Sequence, residues 1–314
     1  MTLKIRTFQP DDEAAQVDVY NTTASALPGC KLATAADVQK RTSAPTFDAT
    51  SRFYAEEAGQ VVGYCVLEPE QGRVSFPWCK AGFESAAPQL LEAAVQSARQ
   101  RGLTKLIAAY RKDWEPVLRF FTEHGFTHAR DMINYWSALG DMPTLLSKSV
   151  PVEELVPEDI PAIAALGQGV IRIPEDKLEA YFFANPYFPA RSVRVLRARG
   201  TGMPYAVALG LDNREYADVR KIDPLAPCFR LGAFGTEGLS TKRVNGLFSF
   251  LALEPERAAA AALTLLSTLS EELTDGSVDA FAAQCPSDVR YLVAFYSRYF
   301  KEQGRFPVLE MQLV

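Results

Sequence analysis

Ile5-Arg6-Thr7-Phe8-Gln9-Pro10-Asp11-Asp12-Glu13-Ala14-Ala15 is answered, 147 positions on, by Val152-Glu153-Glu154-Leu155-Val156-Pro157-Glu158-Asp159-Ile160-Pro161-Ala162. In each stretch a short extended run meets Pro-x-Asp and then an apolar pattern of helical period. Proline presets φ, and an acid two residues on can cap the first turn, so both stretches read as a strand turning into a helix. Two further echoes follow in the same order. Leu90-Leu91-Glu92-Ala93-Ala94 matches Leu265-Leu266-Ser267-Thr268-Leu269 at an offset of 175. Phe120-Phe121-Thr122-Glu123-His124-Gly125 matches Tyr299-Phe300-Lys301-Glu302-Gln303-Gly304 at an offset of 179. One duplication, with roughly thirty residues gained in the second copy, accounts for all three and makes this a two-domain chain.

The first copy is expected over 1–145 and the second over 150–314, with a linker near 140–149. The extra residues fall at about 210–238, where acids, prolines and glycines interrupt any period. The first half predicts a strand over 4–8, a helix from 11 to about 26, and a hairpin of 53–57 with 61–67. A strand over 73–78, a helix over 88–101 ended by Gly102, and a strand over 106–110 follow. A helix over 114–124 stopped by Gly125 and a strand over 132–138 close the copy. The second half repeats this plan. It predicts a helix over 177–183, a hairpin of 192–198 with 205–209, a strand over 247–253 and a helix over 255–273. A strand over 279–283, a helix over 288–303 and a strand over 308–313 complete it. Helices alternate with strands, and the hairpins make the sheets mixed. The expected class is α/β (α+β): two tandem domains, each a mixed, mostly antiparallel sheet flanked by helices.

Composition narrows the function. Of 314 residues, 48% are hydrophobic and 23% charged, as in a soluble globular protein. A net charge of −5 without any Lys/Arg-rich run argues against nucleic acid as a partner. The longest apolar stretch, 258–266, is far too short to cross a bilayer, and the N-terminus is strand-like and not a signal peptide. Cys30, Cys65, Cys79, Cys228 and Cys285 are odd in number, scattered and free of any CxxC, which suits reduced thiols in a cytoplasmic protein. His124 and His128 are the only histidines, too few for most metal or triad chemistry, and no metal is expected. Both sit at a helix end, where a histidine can cap carbonyls.

The order strand, helix, hairpin, strand, helix, strand, helix, strand resembles the GNAT superfamily of N-acyltransferases. Three stretches carry the resemblance. Phe53-Tyr54-Ala55-Glu56-Glu57-Ala58-Gly59-Gln60-Val61-Val62-Gly63-Tyr64 is similar to that family's central hairpin. Phe120-Phe121-Thr122-Glu123-His124-Gly125-Phe126 is similar to the end of its last helix, and the Pro-x-Asp opening is the third. They cover most of 1–140. The second half is more divergent and joins through the repeat. The tandem plan resembles members of the mycothiol synthase type, whose C-terminal copy is the active one.

The resemblance implies direct transfer of an acyl group from acyl-CoA, acetyl-CoA foremost, to a small-molecule amine. It also implies that the CoA pyrophosphate rests on the loop opening the helix after the fourth strand, where amides and the helix dipole favour an anion. Counting back from the paired leucines puts that loop at Gly82–Ala87 in the first copy and at Arg257–Ala262 in the second. The first has lost the family's basic residue and carries Glu84, whose carboxylate repels phosphate. The second keeps Arg257, followed by Ala258, Ala259, Ala260, Ala261 and Ala262. The second copy is therefore the expected cofactor domain, with Leu251 and Leu253 at the end of the preceding strand completing the binding set, and the first copy is degenerate. Pro255-Glu256-Arg257 before alanines is equally a plain helix start.

Relatives often protonate the departing thiolate with a Tyr four residues before the helix-ending Gly. Those positions here are Phe121 and Phe300, which cannot donate. Tyr299 lies one residue earlier, and Tyr296 shares a helical face with Phe300, so these two are the candidate acids. Neither fourth strand contains an acid, which leaves Glu237, at the end of the inserted segment, as the candidate base. Two other classes compete. One is a non-catalytic pseudo-acetyltransferase that senses acyl-CoA or serves as a scaffold. The other is a peptidoglycan-bridge type enzyme using aminoacyl-tRNA, disfavoured by the acidic balance and the lack of a long helical arm. A homodimer is compatible with all of these.

Overall fold

The computed structural model describes residues 3–30, 32–45, 47–143, 150–167, 175–184, 190–212, 246–252, 255–273 and 279–313. Residues 144–149 of the expected linker, most of the expected insertion, Glu237 and Leu253 lie outside them. The chain divides into two compact units, Met1–Asp131 with Phe306–Val314, and Met132–Arg305.

Through the first half run β1 (Lys4–Thr7), α1 (Asp12–Ala24), α2 (Ala35–Thr42), β2 (Arg52–Glu57), β3 (Gln60–Glu68), β4 (Arg73–Val74), β5 (Trp78–Cys79), α3 (Ala87–Gln100), β6 (Lys105–Ala109), α4 (Glu115–Glu123) and β7 (Thr127–Ala138). The same order recurs as β8 (Glu153–Glu154), α5 (Ile160–Leu166), α6 (Glu175–Phe183), β9 (Val193–Arg197), β10 (Pro204–Asp212), β11 (Gly246–Ala252), α7 (Pro255–Glu272), β12 (Ala280–Pro286), α8 (Arg290–Tyr299) and β13 (Lys301–Gln312).

In the first unit the strands run β1-β2-β3-β4-β6-β13, antiparallel except for β4 with β6. In the second they run β8-β9-β10-β11-β12-β7, antiparallel except for β11 with β12. The last strand of each copy thus completes the other copy's sheet: Val308–Gln312 pairs with β6, and Met132–Ala138 pairs with β12.

Two expected elements differ. The strand over 73–78 is broken into β4 and β5 by Ser75-Phe76-Pro77, since proline has no amide to give a ladder. The helix over 288–303 stops at Tyr299 because Phe300 is already extended (φ −126°, ψ 161°), and Gly304 lies inside β13. Gly125, by contrast, ends α4 in the left-handed conformation at φ 86°. The last helices are therefore matched by their starts, Glu115 and Arg290, 175 residues apart. This is the offset of the paired leucines, and it replaces the 179 read from the glycines.

The Pro-x-Asp motif does the same work twice. Asp12 accepts the Gln9 amide at 2.7 Å, and Asp159 accepts the Val156 amide at 2.9 Å. Each carboxylate also takes a two-pronged hydrogen bond from an arginine. Arg6 reaches Asp12 at 2.7 and 2.8 Å, and Arg197 reaches Asp159 at 2.6 and 2.8 Å. The arginine's Nε then bonds a glutamate on the adjacent strand, Glu56 for Arg6 and Glu153 for Arg197. Arginine and glutamate have changed places between the copies: arginine is on β1 in the first and on β9 in the second.

The β2–β3 hairpin turns through Ala58 (φ 51°) and Gly59 (φ 79°), the signs of a type I′ turn. Alanine is strained there, and asparagine is not. Ala58→Asn should stabilise the protein by about 0.5–1 kcal/mol in urea unfolding. A lower midpoint would show that the turn is held by other contacts.

Candidate active site

Among the described residues each unit holds one parallel strand pair, and each pair opens into a fork. In the second unit β11 meets β12 only at Gly246↔Phe281 and Leu247↔Ala282. Beyond that, β12 stays paired with β7 to Pro286, and β11 stays paired with β10 to Ala252. Among the described residues no strand pairs with the edge of β11 from Ser249 to Ala252 that faces β12. Such an edge can pair with an extended, amide-bearing molecule as though with another strand.

Aromatic side chains from α8 reach this fork. The ring of Phe250 lies 4.8 Å from Phe295, 5.7 Å from Tyr296 and 6.0 Å from Tyr291. Tyr296 also stacks on Tyr135 at 5.4 Å and is 1% exposed. Burial raises its pKa well above the usual tyrosine value, against a hydrogen bond from the Phe250 backbone that lowers it. Burial likewise raises Tyr291, whose hydroxyl is bonded by the Ala252 backbone. Phe250 and Ala252 point the same way along β11, so the two phenols line one edge. Both stay protonated at neutral pH. Cys285, buried on β12, has its thiol pushed up to about 12 by burial and remains a thiol.

The first unit has the same fork, and there too a tyrosine hydroxyl takes a backbone amide. β4 meets β6 at Arg73↔Ile107 only. Past that point the Phe76 amide donates to the Tyr110 hydroxyl. The Tyr110 ring is stacked on Phe121 at 5.8 Å and on Trp114 at 6.0 Å, and Phe76 packs edge-on against Phe120 and Trp78. Tyr110 precedes α4 by five residues, as Cys285 precedes α8. Where the first fork carries a large ring, the second carries a thiol. Phe121 and Tyr296 also correspond, both at the seventh residue of their helix and both buried.

The helix starts differ as well. In the first unit Gly82, at φ 88°, donates its amide to Glu84 Oε1 at 3.1 Å. Glu84's own amide and that bond hold the carboxyl below its usual range. The loop amides thus already serve an internal anion. In the second unit the loop expected at Arg257–Ala262 is helix, because α7 begins at Pro255. The amides of Ala259 to Ala262 are spent inside the helix, so Arg257 and Ala258 alone of the expected set present amides at its mouth. Ala258, Ala261 and Ala262 are buried, while Arg257, Ala259 and Ala260 are exposed.

Of the other expected residues, Leu251 pairs with Val207 in the ladder. Tyr299 is half-buried on α8 with its ring 5.0 Å from Phe295 and under Arg298, and it makes no contact with Phe250 of the kind Tyr296 makes. Tyr291, Phe250, Cys285 and Tyr135 were not read from the sequence. Alternation on strands and the 175-residue offset were the signals for them. His124 Nδ1 donates to the Phe120 carbonyl at 2.7 Å, as a helix-end cap.

No protein-family model and no curated protein sequence matches the chain. Among solved structures it is similar to a GCN5-related N-acetyltransferase from Sphaerobacter thermophilus, with 13% identity and a TM-score of 0.66 over 99% of this chain and 96% of that one. It is also similar to a tandem GNAT protein from the clavulanic acid biosynthesis pathway, with 14% identity and a TM-score of 0.56 over 100% and 99%. Saccharomyces cerevisiae N-myristoyltransferase with bound myristoyl-CoA aligns at 9% identity and a TM-score of 0.50 over 98% and 78%. The chain has the GNAT fold, twice over, as the order of elements led one to expect. Among the described residues no helix is long and apolar enough to cross a membrane.

Proposed function

We propose that this protein is an acyl-CoA-dependent N-acyltransferase, acetyl-CoA foremost, whose second unit carries the reaction to a small-molecule amine. The observation that carries it is the fork between β11 and β12 with the Tyr296 phenol on the Phe250 backbone. The splayed fork suits the pantetheine arm, and the start of α7 with Arg257 suits its phosphates. The amine nitrogen attacks the thioester carbon, a C–N bond forms and the C–S bond breaks. Tyr296 gives its proton to the departing thiolate, and the proton shed by the amine returns to Tyr296 through water. The first unit, with Glu84 and Tyr110 in the equivalent places, is structural in this scheme. Five scattered cysteines without a CxxC suit a cytoplasmic protein, and neither a metal nor nucleic acid takes part.

One observation favours the second reading, a non-catalytic acyl-CoA sensor: the hydroxyls of Tyr291 and Tyr296 already take up the backbone of Ala252 and Phe250. Calorimetry with acetyl-CoA and the amine separates the two. Acetyl-CoA at a hundredfold excess over its Kd should stabilise the protein by about 2.7 kcal/mol. Arg257→Glu should erase that gain, and Ser85→Glu at the first unit's loop should leave it intact. No gain in the wild type sinks both readings, whereas a gain without thiol release on adding any amine favours the sensor.

A further inference from the structure

The first unit carries two polar groups with nothing to bond to, on one face of its sheet. β2 and β3 pair Arg52 with Val66 and Tyr54 with Tyr64, so these four side chains point the same way. It is the face that α1 covers, since the Tyr54 hydroxyl donates to Gln16 Oε1 at 2.6 Å. Arg52 is mostly buried, with its guanidinium carbon 5.7 Å from the centre of the Phe47 ring. Its Nε is enclosed and has no hydrogen-bond partner, and its guanidinium forms no ion pair among the described residues. Tyr64 is 6% exposed, and its hydroxyl likewise bonds to nothing among the described residues. That hydroxyl is not sealed in: it opens on space that water reaches.

Elsewhere the chain does not leave such an arginine open. Arg6 and Arg197 each give two parallel bonds to an aspartate and a third to a glutamate. Arg52 has no such clasp, and Glu68, whose charge it feels, is bonded to Arg73 at 2.8 Å. Burial lowers the Arg52 pKa and raises the Tyr64 pKa well above the usual tyrosine value, and the charge of Arg41, exposed on α2, lowers both. Arg41 too is without a partner among the described residues. At neutral pH the face therefore presents a guanidinium fork and a phenolic O–H, both able to donate. A mostly buried cation without a counterion is costly, and an anion offsets that cost. The anion carries a single charge, because Glu68 near Arg52, and Asp12 and Glu13 near Tyr54, repel a second one.

We infer that Arg52 and Tyr64, with Arg41 at the rim, bind the carboxylate of a small monoanionic organic acid. The planar carboxylate takes two N–H bonds side by side from the Arg52 guanidinium and a third bond from the Tyr64 hydroxyl. No bond is made or broken in the ligand. The site belongs to the first unit and stands independently of the acyl-transfer reading of the second.

The test uses the full-length protein labelled with nitrogen-15 at arginine and titrated with sodium propionate. An enclosed Nε–H exchanges slowly with water, so the Arg52 signal is observable, and it is assigned by its loss in Arg52→Met. Propionate should move that signal saturably, while sodium chloride at equal ionic strength and propionamide, the uncharged twin, should not. Tyr64→Phe keeps the ring and should weaken propionate about fivefold, the loss of one hydrogen bond. Arg52→Met should abolish binding measured by calorimetry. A shift no larger than chloride produces, equal binding of propionamide, or unchanged affinity in Tyr64→Phe overturns the inference. Inorganic phosphate held more tightly than propionate at Arg52 overturns the carboxylate class. Should Arg52→Met not fold, Arg52→Lys provides the assignment, and the wild-type and Tyr64→Phe titrations decide.

Discussion

Tyr296→Phe should lower kcat for acyl transfer by about a hundredfold while leaving KM for acetyl-CoA unchanged. A positioned acid contributes about 10²–10⁴-fold, and the lower end applies because a thiolate leaves tolerably without help. The ring packs against Tyr135, Phe295 and Phe300, and phenylalanine preserves all of those contacts. What is lost is the hydroxyl and its bond to the Phe250 backbone, about 1–2 kcal/mol of stability. A purely structural tyrosine would show that small stability change without the kinetic one. The leaving group sharpens the distinction. With a thioester of an acidic aromatic thiol, which departs without a proton, Tyr296→Phe and wild type should react at similar rates. Equal losses with both thioesters would remove Tyr296 from the chemistry. The pH profile follows from the same burial. An acid must be protonated to act, and Tyr296 titrates well above the usual tyrosine value, so kcat should show no falling limb below pH ~10. Tyr299→Phe should leave kcat within about twofold, since Tyr299 makes no such contact with Phe250.

The duplication was legible because its strongest marks are local. Pro-x-Asp writes a cap, and paired leucines at Leu90-Leu91 and Leu265-Leu266 write one buried helix stripe in each copy. The hairpin around Ala58-Gly59 is likewise short-range. The exchange of last strands was not legible, because β7 and β13 alternate in the same way whichever sheet receives them. The end of α8 misled for a different reason. Glycine stops α4 by its left-handed conformation, whereas α8 passes into β13 through an extended Phe300, so Gly304 marked nothing. Matching the copies on glycine aligned Phe300 with Phe121 and hid the tyrosine that occupies Phe121's place. The phosphate loop was misplaced by the same kind of error, since α7 starts ten residues before its paired leucines and α3 only three. Loop length is invisible to a count made from the helix interior. Glu84 is the converse case. Its charge was read as repelling an anion, and the structure has that charge seated on the loop's own amides.

Asp159→Ala should destabilise the second unit by roughly 3 kcal/mol, well beyond the loss of an exposed ion pair. Asp159 is 4% exposed and accepts three hydrogen bonds, two from Arg197 and one from the Val156 amide that it caps. Taking it away leaves a mostly buried guanidinium with Glu153 as its one carboxylate partner, beside long bonds to the Gly202 and Glu154 carbonyls, and frees a helix-start amide. The complementary change, Arg197→Met, should be similar in size, because it strands the carboxylate. A double variant should fall short of the sum, since each single change already incurs the penalty of one unpaired charge. The dependence on pH has a definite sign. Burial pushes the Asp159 pKa up, but the Arg197 bonds, the Val156 amide and the nearby charge outweigh it and hold the carboxyl below its usual value. A depressed folded value means the contribution is complete above the unfolded value of about 3.9 and disappears as pH falls through the folded one. Urea unfolding at pH 7 should therefore separate wild type from Asp159→Asn widely, and the gap should narrow below pH ~4. Arg6 and Asp12 form the same clasp in the first unit with the glutamate partner on the opposite strand. Arg6→Met should accordingly lower the urea midpoint of the first unit. A gap between wild type and Asp159→Asn that is already small at pH 7 would show that the amide cap, which asparagine keeps, and not the ion pair, is what Asp159 supplies.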